Sequence, residues 1–184
     1  MAYVVHASRG FTLIEILVVI TIAAVLATLS APALQGIYQN WQVQQSVNAM
    51  KSTLLFGRSE AVRRGGQVVL QRTAEATLDC KPSDPGSQWN CGWFLFIDTN
   101  GNGTWDSSER VLYQVNLHKG LAVSSSQSVT ALTFDRYGLV NEVKQVGTLL
   151  FRFAASSNES RAASHVLCMD PSGILRSSTS TSCT

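Results

Sequence analysis

Hydrophobic and polar positions divide this chain into two contrasting parts. An apolar run extends from Ile16 to Leu34, and no charged side chain occurs between Ile16 and Met50. A run of this length spans a bilayer as a helix. Pro32 and Gly36 are expected to bend or loosen that helix, because proline lacks an amide hydrogen and crowds the preceding turn. Farther on, Ile37, Trp41, Val47, Met50, Leu54, Ala61 and Val62 recur mostly three or four apart, which predicts an amphipathic continuation whose apolar stripe covers a sheet. Arg63 and Arg64 suit a helix C-terminus, and Gly65-Gly66 end it, so one helix is predicted from Phe11 to Arg64.

After Gly66 the pattern changes to short β-rich runs. Strands are predicted at 67–72, 93–98, 110–115, 130–135, 147–154 and 164–169, with a short one near 174–176. Turn signals separate them at Ser83-Asp84-Pro85-Gly86, Asn100-Gly101-Asn102-Gly103, Tyr137-Gly138 and Asp170-Pro171-Ser172-Gly173. The Ser/Thr-rich tail from Ser177 reads as a loop pinned by Cys183. A long helix packed on a small, mostly antiparallel sheet is an α+β layer architecture.

Composition sharpens this division. The chain has 184 residues, of which 45% are hydrophobic and only 14% charged, enough for one soluble domain plus an anchor. The single Arg9 before the apolar run, and the larger part after it, put the start of the chain on the cytoplasmic side of a membrane. A net charge of +2 is too small to argue for nucleic acid. Four cysteines, Cys80, Cys91, Cys168 and Cys183, all follow the apolar segment, as in an exported, disulfide-bonded domain. Of the three pairings, Cys80–Cys91 and Cys168–Cys183 each close a short loop, which is worth about 3 kcal/mol on the chain-entropy estimate. Free buried thiols are the alternative; the spacing is not that of a zinc knuckle.

Glu15 is the unusual residue of the anchor. A carboxylate inside an apolar helix costs about 2.5–3.5 kcal/mol on insertion scales and tends to be paired or functional. Phe11 and Glu15, four apart, share a helix face. The plain alternative is an acid that snorkels from the end of an ordinary anchor.

The string Arg9-Gly10-Phe11-Thr12-Leu13-Ile14-Glu15-Ile16-Leu17-Val18-Val19 resembles the processing site of type IV prepilins and type II secretion pseudopilins. The resemblance implies a bacterial chain whose leader, 1–10, is cut after Gly10 by a membrane-embedded prepilin peptidase that also methylates Phe11. Residues 11–34 are then the transmembrane or filament-core helix, and 35–184 the periplasmic head. Glu15 is implied to act in assembly by pairing with the Phe11 ammonium of a neighbouring subunit. Two rivals are an ordinary signal peptide cut near Ala31-Pro32-Ala33 and a plain single-pass anchor. Arg58-Ser59-Glu60-Ala61-Val62-Arg63-Arg64 and Gly92-Trp93-Phe94-Leu95-Phe96-Ile97-Asp98 are similar to the FimT/GspH family, minor pilins of type IVa pili and minor pseudopilins of type II secretion. The resemblance therefore implies a type IV pilin-like fold and a subunit that primes or caps filament assembly, first in the inner membrane and later in the pilus or pseudopilus. Partners implied are other major and minor pilins or pseudopilins.

Two further constellations invite chemistry. Asp98, Asn100, Asn102, the Thr104 carbonyl, Asp106 and Glu109 have the spacing of a twelve-residue calcium loop, with Gly103 at the sharp turn. The alternative is a strand-connecting turn in which Asn and Gly supply positive φ. Some members of the FimT branch bind DNA through a C-terminal Gly-Arg-x-Arg motif; here Gly173 and Arg176 match, but Ile174 replaces the first arginine. Arg176, with Arg161 as a second cation, is a poor cluster for counterion release. His6, His118 and His165 are scattered, and no nucleophile–base pattern, phosphate loop or carboxylate pair points to an enzyme.

Overall fold

The computed structural model describes residues 11–73, 87–117, 120–155, 164–179 and 182–183, with the side chains of 29–35 outside the description. The chain divides into two compact units, Met1–Tyr38 and Gln39–Thr184. Helix α1 (Leu13–Arg64) begins in the first and ends in the second, and its helical backbone continues through Pro32 and Gly36.

In the second unit α1 packs on two sheets, not the single small sheet expected. The first sheet has order β3-β2-β1-β5, built from β1 (Val68–Arg72), β2 (Trp93–Ile97), β3 (Val111–Val115) and β5 (Ala131–Phe134). The second has order β4-β6-β7-β8, built from β4 (Leu121–Ser125), β6 (Leu149–Ala155), β7 (His165–Met169) and β8 (Leu175–Ser178). All six strand pairings are antiparallel among the described residues. Strand β4 and the short helix α2 (Asn141–Val146) were not expected from the sequence.

The core lies between helix and sheets. Val43, Val47, Met50, Leu54 and Ala61 are buried on one face of α1 and meet Trp93, Leu95 and Phe134 of the first sheet and Phe151, Phe153 and Met169 of the second in one cluster. This corrects the expected stripe. Ile37, Trp41 and Val62 are exposed by 66%, 59% and 55%, because at 100° per residue they lie well off the direction shared by Val43, Val47, Met50 and Leu54. Gly57 marks the closest approach: a Cβ there would stand 2.9 Å from the Phe134 ring and 3.0 Å from Leu95. Thr53, toward one flank of that face, is fully buried, and its Oγ1 accepts the indole N–H of buried Trp93 at 3.1 Å. The helix ends as expected, with Gly65 and Gly66 at positive φ and the Gly66 N–H donating to the Ala61 carbonyl at 2.8 Å.

Open sheet edges invite unwanted pairing, and three edges here are closed by different means. Glu142 of α2 accepts the Thr133 N–H of β5 at 2.8 Å. Residues 87–90 run along β4, bridging Gln88 to Ser124. Strand β3 is interrupted by a bulge opposite Leu95/Phe96.

Candidate functional site

The start of α1 is built by Thr12. Its Oγ1 accepts the Glu15 N–H at 3.3 Å and its carbonyl accepts the Ile16 N–H at 3.3 Å, so Thr12 is the N-cap. Thr12 and Glu15 are three apart, the spacing of a capping box, and a carboxylate in the first turn faces the positive end of the helix dipole. Thr12 has no role in the sequence-based expectations, although Thr-x-x-Glu is the signal that marks it.

Around Glu15 the surface is apolar and uncovered. Phe11, Glu15, Ile16, Val19 and Ile20 line one open depression. Phe11 is 80% exposed, and Ile14, Ile16, Leu17, Val18 and Ile22 are exposed as well. The hydroxyls within this stretch are satisfied internally: Thr21 donates to the Val18 carbonyl and Thr28 to the Val25 carbonyl, each at 2.8 Å. Apart from Glu15, such a surface loses little by entering an apolar medium, since its side-chain donors already have partners. Among the described residues no helix is long and apolar enough to cross a membrane; the described side chains of the apolar run stop at Thr28. Gly10, the residue before the expected cut, lies outside the described residues.

The Asp98 loop joins β2 to β3 and folds onto the outer face of the first sheet. Asp98 is buried, and its two carboxylate oxygens accept the N–H groups of Gly101 and Gly103 at 2.7 and 2.8 Å. Buried Glu109 accepts from the Thr99 N–H at 2.8 Å, the Thr99 hydroxyl at 3.2 Å and the Asp106 N–H at 3.1 Å. Asp106 Oδ2 takes the side-chain amides of Asn100 and Asn102 at 2.6 and 3.1 Å. The Asn102 oxygen accepts the Thr104 N–H at 2.7 Å. The loop thus brings Asp98, Asn100, Asn102, Thr104, Asp106 and Glu109 together, and these bonds engage both carboxylate oxygens of Asp98 and of Glu109, one of Asp106 and the side-chain oxygen of Asn102. Among the described residues no group of three or more histidine, cysteine or acidic side chains has a metal-binding arrangement. The loop also seats Trp105. Its backbone N–H donates to the Gln71 side chain at 3.1 Å, and its ring meets Phe94 edge-on at 6.0 Å.

Near the chain's end Cys168 of β7 is joined to Cys183. Cys91 is also in a disulfide; Cys80 lies outside the described residues. Arg176 is exposed on β8 opposite Cys168. Its charge is partly answered by Asp170, whose carboxyl is held below its ordinary range chiefly by the Ser172 hydroxyl and the Ile174 N–H, with a smaller contribution from Arg176. Arg161 lies outside the described residues.

Comparison with known proteins gives this geometry a context. The family model described as type II transport protein GspH matches residues 46–173, and the prokaryotic N-terminal methylation motif matches 5–31. The chain is 31% identical over 101 residues to the pilin-like protein PilA1 of Thermus thermophilus, covering 55% of each chain; it thus spans about half the length of that curated relative. Its fold is similar to the type IV minor pilin FimU of Pseudomonas aeruginosa in two crystal forms. One superposes with TM-score 0.56 at 17% identity over 76% of this chain and 90% of that one. The other gives TM-score 0.54 at 18% identity over 73% and 91%.

Proposed function

We infer the function from one premise: the chain belongs to the GspH family of type II transport proteins and carries an N-terminal methylation motif ahead of its head. It is a pilin-type structural subunit rather than an enzyme. We propose that it is a minor type IV pilin that primes or caps assembly of a pilus, held in the inner membrane by the first part of α1 before assembly. A minor pseudopilin of a type II secretion system is the second reading, and the name of the matching family favours it. DNA capture gains no support from Arg176, which stands beside Asp170.

The observation that carries the proposal is the bare apolar start of α1 with Glu15 set into it. A helix bearing exposed Phe11, Ile14, Ile16 and Leu17 is not a stable solvent-facing surface, because uncovered apolar area of this extent loses roughly 25 cal/mol per Å² relative to burial. Lipid before assembly and neighbouring helices after it supply the cover. Within that cover Glu15 needs a cationic partner, and cleavage after Gly10 creates one at the Phe11 amine. In cells lacking the wild-type copy, Glu15→Ala is expected to be processed and inserted but absent from sheared filaments, whether pili or overproduced pseudopili. Normal incorporation of that variant would overturn the assembly role.

A further inference from the structure

The Asp98 loop contains two consecutive Asn-Gly steps, Asn100-Gly101 and Asn102-Gly103. Both glycines have positive φ, +76° and +74°, so the turn excludes most other residues there. Both asparagines are exposed. Asn-Gly is the dipeptide most open to succinimide formation, because glycine has no side chain to hinder attack by its own amide nitrogen. We propose that Asn100 and Asn102 are sites of spontaneous deamidation, and that Asp98 holds both latent.

The chemistry needs only water. The glycine nitrogen loses its proton and bonds to Cγ of the preceding asparagine. The Cγ–Nδ2 bond breaks, and the nitrogen leaves as ammonia. Water then opens the five-membered ring at either carbonyl, giving aspartate or isoaspartate. In this loop both attacking nitrogens are occupied. One Asp98 oxygen holds the Gly101 N–H and the other holds the Gly103 N–H. A nearby carboxylate also opposes the negative charge that develops on the attacking nitrogen. The leaving amides are held too, since both donate to Asp106 Oδ2. Each step therefore requires the loop to open and at least two hydrogen bonds to break, that of the glycine N–H to Asp98 and that of the asparagine amide to Asp106.

Deamidation would be consequential here. Either product replaces an N–H donor facing Asp106 with a carboxylate, turning an attraction into a repulsion. The isoaspartate product also adds a backbone carbon to the loop that seats Trp105 against Phe94. Modification would loosen the cover on the outer face of the first sheet.

The test uses the full chain in detergent micelles, incubated in mildly alkaline buffer. Peptide mapping by mass spectrometry follows the change from side-chain amide to acid at each asparagine. Unfolding the same chain in denaturant should raise both rates about tenfold or more, the factor expected from losing a hydrogen bond to a charged acceptor. Asp98→Ala should bring the folded chain toward the unfolded rate at both steps. Asp98→Asn retains a single acceptor oxygen, so it should release one step more than the other; it also decides the case should Asp98→Ala fail to fold. Equal rates in folded and unfolded wild type would overturn the proposal. So would an Asp98→Asn chain with native circular dichroism and wild-type rates at both steps.

Discussion

Replacing Thr53 by valine probes how α1 is fixed to the first sheet. Valine has nearly the shape of threonine but cannot accept the Trp93 indole N–H, which donates to Thr53 Oγ1 at 3.1 Å with both residues fully buried. The hydroxyl's own donation to the Ala49 carbonyl at 2.8 Å is a small loss, since that carbonyl belongs to the helix ladder. The dominant cost is a buried donor without a partner, about 1–3 kcal/mol. For a unit of the size of Gln39–Thr184 that is a fall in melting midpoint of roughly 3–9 °C, read by far-ultraviolet circular dichroism. Trp93→Phe removes the donor itself, so the double variant should be less destabilised than the sum of the single variants by about 1–2 kcal/mol. An unchanged midpoint for Thr53→Val, or strict additivity in the cycle, would refute the reasoning.

Gly57→Ala, which would gain about 1 kcal/mol at an exposed helix position, should here destabilise by about 1–3 kcal/mol as in overpacked cores, because the new methyl stands 2.9 Å from Phe134; a raised melting midpoint would contradict the packing. Burial pushes the Asp135 carboxyl up, but the Lys144 ammonium and the N–H groups of Leu139 and Tyr137 outweigh it, leaving it below its ordinary value. The resulting stabilisation is present above the unfolded carboxyl range and is lost as pH falls through the folded one, so acid melting curves should flatten in Lys144→Ala; identical curves would count against the pair. The Asp98 loop, in which both oxygens of Asp98 and of Glu109 already accept backbone N–H groups, should give the same melting midpoint in calcium and in chelator. A site with Kd near 10⁻⁴ M would instead add roughly 1.4 kcal/mol at millimolar ion, a shift of a few degrees, and such a shift abolished by Asp98→Ala with Glu109→Ala would refute the turn reading.

Parts of this molecule were legible because local signals agreed. The Gly65-Gly66 stop and the β-branched and aromatic runs at 68–72 and 93–97 each combine propensity with a turn residue nearby. Strand β4 was missed because Leu-Ala-Val-Ser-Ser carries weak alternation and merges into a serine run; its place comes from pairing with β6, far along the chain. Helix α2 is six residues long, and its N-cap position is Val140, which makes no side-chain cap hydrogen bond, so it offered no start signal. The stripe went wrong at Ile37 and Trp41 because the six-residue step from Trp41 to Val47 breaks the helical phase. The division into two sheets could not be read locally, since β1 joins β2 on one side and β5 on the other. At the site, Glu15 stood out because a charge in an apolar run is costly, whereas the Asp98 loop's hydrogen bonds depend on a three-dimensional closure that spacing alone does not specify.

The most direct test of a processed, filament-forming subunit is the intact mass and N-terminal sequence of the mature chain recovered from cell membranes. The account predicts a chain that begins at Phe11 and carries one methyl group on its amine. A chain still beginning at Met1, or one beginning at Leu34 just past Ala31-Pro32-Ala33, would contradict it.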